Sequence, residues 1–134
     1  MKEIQELEFP GDLRYTEDHE WALPKGEGIK IGISDYAQDQ LGDIVFVELP
    51  RKGDRFERGG EFGTVESVKA VAELFIPIGG EILTVNSVLD GSPELVNKDP
   101  YGDGWMIEIK SSESDELETL MTRDAYLEYL KGKE

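Results

Sequence analysis

The 134-residue chain has no cysteine and a single histidine. Without cysteine there is no thiolate nucleophile, no dithiol redox pair and no Cys-based zinc site, and the composition accords with a reducing compartment. The lone histidine, His19 in "EDHEW", sits between Asp18 and Glu20. Those carboxylates neighbour it along the chain, which does not make them partners in space. No local motif assembles a Ser-His-Asp set or a nucleophile elbow. Metal loops are missing as well: "NKDPYGDG" (97–104) lacks the ligand order and closing glutamate of an EF-hand. The glycine-rich pieces "KGEG" and "YGDG" precede strands rather than helices, so neither suits a phosphate. The expectation is no metal site and no autonomous active site.

Long apolar runs are also absent. Nothing approaches the roughly 20 residues of a transmembrane helix, and "MKEIQELEFPGDL" has no signal-peptide core. A cytoplasmic protein that stays off membranes is expected. Basic residues are scarce, 14 against 30 acidic ones, for a formal charge of −16. Such a surface repels phosphate backbones, which speaks against nucleic acid as a partner. It serves solubility alone, or it steers the chain toward proteins with basic docking faces.

What remains is short strands broken by Gly and Pro, with one helical tail. Residues 1–14 are polar and read as a mobile arm or an edge strand, ahead of a domain over 15–134. "YTEDHEWALPKGEGIKIGIS" offers two strands around a turn. "SDYAQDQLG" reads as a short helix capped by Ser34 and stopped at Gly42. "DIVFVELP" reads as a buried strand, and "RKGDRFERGG" as turn material. "EFGTVES" and "AVAELFIPI" flank a tight turn, "GGEILTVNSVL" is another strand, and "WMIEIK" is the last. "SPELVNK" reads as one helical turn with Ser92 capping and Pro93 in the first helical position. The tail places Leu117, Leu120, Met121, Leu127 and Leu130 at helical spacing, in two pieces with Thr122 as a second cap. "VFVELPRKGDRFERGG" and "ELFIPIGGEILTVNSVLDGS" echo one another, as two half-sheets joined by the hairpin between them would. This pattern predicts a small, mainly β barrel or sandwich.

The turn inside "ESVKAV" (66–71) holds Lys69, where Asn-Gly or Asp-Gly is the usual solution. A lysine at a hairpin tip keeps its ammonium in water, which does not suit a Schiff-base or general-base role. It suits a lysine that another enzyme modifies, with Ser67, Val68 and Ala70 leaving the tip accessible. An ordinary surface lysine is the alternative.

"ESVKAV", with Pro77 eight residues beyond the lysine, resembles the attachment hairpin of lipoyl and biotinyl carrier domains. Biotin carriers flank their lysine with methionines; Val68 and Ala70 in those places favour lipoate. "YTEDHEWA", "GISDYAQDQLGDIVFVELP", "FGTVESVKAV", "SPELVNKDPYGDGWMIEIK" and "ELETLMTRDAYLEYL" extend the resemblance to the H proteins of the glycine cleavage system, in that family's order. The resemblance implies a barrel-sandwich hybrid fold with a C-terminal helical segment, and lipoate joined to Lys69 by an amide. It implies a non-catalytic shuttle that takes an aminomethyl group from a pyridoxal-phosphate glycine decarboxylase to a folate-dependent aminomethyltransferase. Electrons then pass to dihydrolipoamide dehydrogenase, and a lipoate ligase or lipoyltransferase attaches the arm. A monomer is expected of such a shuttle.

Family members shelter the loaded arm in a surface cleft. The matching positions are Asp18, Glu20, Gln40 and Glu73, of which the three acidic residues can hold a protonated amine by charge-assisted hydrogen bonds. Gln40 stands where some members carry histidine, and Ala72 where serine is common. Glu66 and Glu73 are the candidates for recognition by the ligase, with plain solvated strand ends as the alternative. Two rivals stay open: an H-like carrier serving lipoate relay or sulfur metabolism, and an unmodified interaction module.

Overall fold

The structure, a computed structural model, describes residues 3–111 and 114–132. Residues 1–2 of the expected arm and 133–134 of the tail lie outside them. Nine strands form two antiparallel sheets among the described residues. Strands β1 (Arg14–Tyr15), β2 (Glu20–Lys25), β3 (Gly28–Ile33), β5 (Arg55–Phe56), β8 (Gly80–Val85) and β9 (Ile107–Ser111) make a six-stranded sheet in the order β1-β2-β3-β9-β8-β5. Strands β4 (Ile44–Glu48), β6 (Glu61–Ser67) and β7 (Val71–Phe75) make a three-stranded sheet in the order β4-β6-β7. Ile31, Ile82 and Ile109 from the first sheet and Val47, Val65 and Leu74 from the second share one core. Burying each such side chain stabilises the fold by about 1.5–3 kcal/mol, so the two sheets hold each other closed. The mainly β barrel-sandwich expected from the sequence is the fold observed.

Helix α1 (Asp35–Leu41) follows its local signals closely. The Ser34 hydroxyl accepts from the Ala37 amide at 3.2 Å, and Gly42 ends the helix at φ 80°, which glycine adopts without strain. The tail also divides as expected, into a 3₁₀ turn (Ser114–Thr119) and α3 (Arg123–Lys131), with the Thr122 hydroxyl capping Ala125. Helix α2 (Leu95–Lys98) starts later than "SP" suggested. Glu94 occupies its N-cap without a side-chain bond, and the backbone carbonyls of Ser92 and Pro93 accept from Leu95 and Val96.

Three other expectations are corrected. Residues 3–14 are no mobile arm, and of the alternative edge strand only Arg14 is realised, in β1; Ile4, Leu7, Phe9 and Leu13 are buried in a second cluster with Tyr15, Trp21, Tyr126 and Leu130. The segment is also fastened by its backbone, because the Glu8 amide donates to Asp35 at 2.9 Å and Tyr101 donates to the Glu8 carbonyl at 2.7 Å. Strand β4 is not a fully buried strand. A bulge between Ile44 and Phe46 turns two successive apolar residues, Val45 and Phe46, outward. The internal echo has a counterpart, since β4 and β7 each cross into the six-stranded sheet as β5 and β8, which pair with each other. The hairpin between the two copies, however, joins no half-sheets; β6 and β7 both lie in the three-stranded sheet.

Candidate functional site

The β6–β7 hairpin presents Lys69 at its tip, exposed to solvent. A two-residue turn of the Asn-Gly kind needs positive φ at both central residues. Among the described residues His19 alone of the non-glycines has one, so Val68 and Lys69 turn the chain another way. Ser67 supplies the fastening. Its buried hydroxyl accepts from the amides of Lys69 (3.3 Å) and Ala70 (3.1 Å), and its amide donates to the Ala70 carbonyl at 2.8 Å. The side chain does for this turn what backbone geometry does in a glycine turn, which leaves the tip free to carry lysine. Lys69 lies beside Gly42, where an added Cβ would sit 3.6 Å from its Cε.

A second set of bonds ties the tip to the body. The Val68 amide donates to the Asp43 carbonyl at 3.1 Å. Asp43 is held in turn by Asn97 of α2, which accepts from the Ile44 amide and donates to the Gly42 carbonyl and Gln38, each at 2.9 Å. Asn97 thus braces the strand start against which the lysine turn rests. Neither Ser67 nor Asn97 was singled out for such a role from the sequence. The signal for Ser67 was there, a hydroxyl residue two positions before the turn's apex; for Asn97 the partners are too distant in sequence to suggest it.

The four residues expected at a cleft come together. Asp18, Glu20, Gln40 and Glu73 all line one cavity of about 190 Å³, whose floor is Ile33, Ala37, Leu41, Val65 and Leu74. Asp18 comes from the turn before β2, Glu20 from the first position of β2, Gln40 from α1 and Glu73 from β7. Glu66, by contrast, stays on the exposed outer side of β6 and does not reach the cavity, whereas Glu73 does. A larger cavity of about 320 Å³ shares Asp18 and Glu20 but runs along Phe75, Ile76 and Pro77 toward Arg58 and Thr119. It shares a wall with the first and leads away from the lysine turn.

Glu20 is the most perturbed group of the site. It is 1% exposed, and burial pushes its carboxyl up to about 8, against the opposing pull of the Thr16 hydroxyl (2.9 Å) and the Phe75 amide (3.2 Å) that donate to it. At neutral pH it is mostly the neutral acid, ready to ionise when a cation approaches. His19 also lines the cavity, and its ring is engaged in the packing behind it. Its φ is 70°, and its Nδ1 is 2.8 Å from the Tyr126 hydroxyl, which also meets the Ser34 hydroxyl at 2.8 Å. It joins the N-terminal turn to α3 and the cap of α1. No cluster of three or more His, Asp or Glu suited to a metal ion exists among the described residues, and no helix there is long and apolar enough to cross a membrane.

The site passes a simple test of fit for an acyl arm on Lys69. Ala72, Glu73 and Leu74 lie three to five positions beyond the lysine, roughly 10–17 Å along a strand. An arm of a dozen or so single bonds reaches about 14 Å. The cavity there has an apolar floor for a hydrocarbon chain and carboxyl groups for a charged end. A two-sheet antiparallel fold with an exposed lysine on a braced hairpin, beside such a cavity, has the architecture of a lipoyl-type domain.

The comparisons with known proteins narrow that class. The family model described as glycine cleavage H-protein matches residues 13–133. A probable glycine cleavage system H protein of Natronomonas pharaonis is 53% identical over 120 residues, covering 90% of this chain and 94% of that one. A glycine cleavage system H protein of Anaeromyxobacter sp. (strain K) is 52% identical over 128 residues, covering 96% of this chain and all of its own. The crystal structure of a glycine cleavage system H protein from Mycobacterium marinum superposes with a TM-score of 0.84 at 35% identity, covering 92% of this chain and 99% of that one. The chain belongs to the glycine cleavage H-protein family.

Proposed function

We propose that the chain is the lipoyl-bearing shuttle of a glycine cleavage system, with Lys69 as its attachment residue. The observation that carries this reading is the pairing of an exposed lysine, on a turn locked by Ser67, with a carboxyl-rimmed cavity within one arm's length. When attached, lipoate supplies a dithiolane able to accept an aminomethyl group and a pair of electrons. The chain's own residues position and protect, and contribute no catalysis. Lys69 gives up its charge to an amide. The apolar floor built by Ile33, Leu41 and Val65 excludes water from an arm folded against it. Asp18 and Glu73 offer carboxylates to a protonated amine at the rim, and Gln40 offers an amide. Glu20 accepts the same cation most strongly once ionised, because its buried charge then has a partner.

Partners follow from this reading: the decarboxylase, aminomethyltransferase and dihydrolipoamide dehydrogenase of the system, and the enzyme that attaches lipoate, all in the cytoplasm. The absence of cysteine fits, since no thiol on the body can divert a dithiolane by exchange. The test is glycine–bicarbonate exchange by a purified glycine decarboxylase with the lipoylated chain added. Exchange that depends on the chain and is lost in Lys69→Arg supports the shuttle. A lipoylated chain inert with an active decarboxylase, one that works with another H protein, moves the function to another lipoyl-dependent pathway.

A further inference from the structure

Among the described residues five large apolar side chains stand exposed: Val45, Phe46, Val68, Val71 and Val88. They are not scattered. Phe46 pairs across β4–β6 with Glu66, and Glu66 pairs across β6–β7 with Val71, so the three form one cross-strand row on the outer face of the small sheet. That row lies immediately below the lysine turn. Phe46 is 51% exposed, Val71 63% and Val68, next to Lys69, 71%. The bulge adds Val45 to the same edge, and the 3₁₀ turn that carries Val88 packs against β4. A regular strand would turn one of Val45 and Phe46 inward. The bulge keeps both in water, and an apolar group gathered around one residue marks an interaction surface.

We propose that this face is where the enzyme that acylates Lys69 docks, an inference that rests on Lys69 being the attachment residue. Reach selects that partner over the others. The Lys69 Nζ stands only about 6 Å from its backbone, so an enzyme working on the bare amine must close over the turn. Its mouth then meets the Phe46–Glu66–Val71 row, about 7 Å down the hairpin. Enzymes that work on the far end of an attached arm act about 14 Å out and need not press on the row.

Charge selects the partner's chemistry. Strands β4, β6 and β7 contain no lysine or arginine, and Asp43, Glu48, Glu66 and Glu73 are exposed around the apolar row. Among the described residues none of these four forms an ion pair within the chain. The matching surface is an apolar depression rimmed by lysine or arginine at the mouth of an acyl-transfer site. In the step it serves, unprotonated Nζ attacks the acyl carbon of an activated lipoate (an acyl adenylate). The amide C–N bond forms, the adenylate phosphate leaves with the electrons of the broken C–O bond, and the Nζ proton passes to solvent.

The experiment measures steady-state attachment by a purified lipoate ligase with ATP and lipoate, for the wild type, Phe46→Ser and Val45→Thr/Phe46→Ser. Circular dichroism confirms folding, and labelling of Lys69 by a small amine-reactive ester confirms that the turn is intact. The expected result is a rise in KM that lowers kcat/KM about tenfold for Phe46→Ser, more for the double variant, with kcat little changed. The same variants, lipoylated by long incubation, are then given to dihydrolipoamide dehydrogenase, where the loss is expected to be at least fivefold smaller. Variants within about twofold of the wild type in attachment overturn the docking face. Equal losses in the two assays overturn its assignment to the attaching enzyme. A wild type left unmodified by a ligase active on another carrier overturns the attachment reading itself, and the docking face with it.

Discussion

Replacing Glu20 with glutamine should flatten the protein's stability against pH. Glu20 is 1% exposed, and burial raises its carboxyl from 4.5 to about 8 in the folded state. Between those values the folded chain holds a proton that the unfolded chain has released. Unfolding then liberates it, so stability falls as pH rises, by at most about 1.4 kcal/mol per pH unit. The contribution is fully present below pH 4.5 and has been lost once pH passes about 8. From about pH 5 to 7.5 the loss assigned to this group is on the order of 3 kcal/mol. Glutamine keeps the shape, offers a carbonyl to the Phe75 amide and cannot ionise. The assay is urea unfolding at steps between about pH 5 and pH 8.5, followed by circular dichroism and compared as the difference between wild type and Glu20→Gln. The other acidic residues are common to both chains and cancel. The variant should gain on the wild type steadily through the window and hold its lead above it. Parallel curves would refute the argument, since they would mean that Glu20 is as ionised in the folded chain as in the unfolded one.

Deletion of residues 1–10 removes Ile4, Leu7 and Phe9 from the second cluster and should cost several kcal/mol, read as a marked drop in Tm; an unchanged Tm would restore the mobile arm. Asn97→Ala strips three bonds from Gln38, Gly42 and Ile44 and should destabilise by about 2–3 kcal/mol in denaturant titration. Ser67→Ala removes the hydroxyl that accepts from Lys69 and Ala70, and should slow lipoate attachment severalfold while costing about 1 kcal/mol of stability. Hydrogen exchange at the Ala70 amide should quicken in that variant.

How much of this was legible depended on how local the cause was. Helix α1 could be read because its cap and stop are neighbours of the helix itself, Ser34 and Gly42. The lysine turn was legible for the same reason, as a charged residue between two strand patterns. The sidedness of β4 was not. Whether Val45 and Phe46 face in or out is decided by a bulge against β6, and the apolar run "IVFV" carries no mark of it. Residues 3–14 read as polar because Ile4, Leu7, Phe9 and Leu13 are spaced among charges. Their partners Tyr126 and Leu130 lie more than a hundred residues away. The cavity was reached only through family resemblance, since its lining comes from the turn before β2, from β2, β3, α1, β6 and β7 and shares no local pattern. The neutral state of Glu20 was invisible in "EDHEW", where it looks as solvated as Asp18; its burial is a property of the closed fold.

The most direct test of the central claim is intact mass with peptide mapping, after incubating the apo chain with lipoate, ATP and an active lipoate ligase, alongside Lys69→Arg. One lipoyl group, mapped to Lys69 and missing from the variant, is the result predicted. A chain left unmodified, or modified at another lysine while Lys69 stays bare, would contradict it.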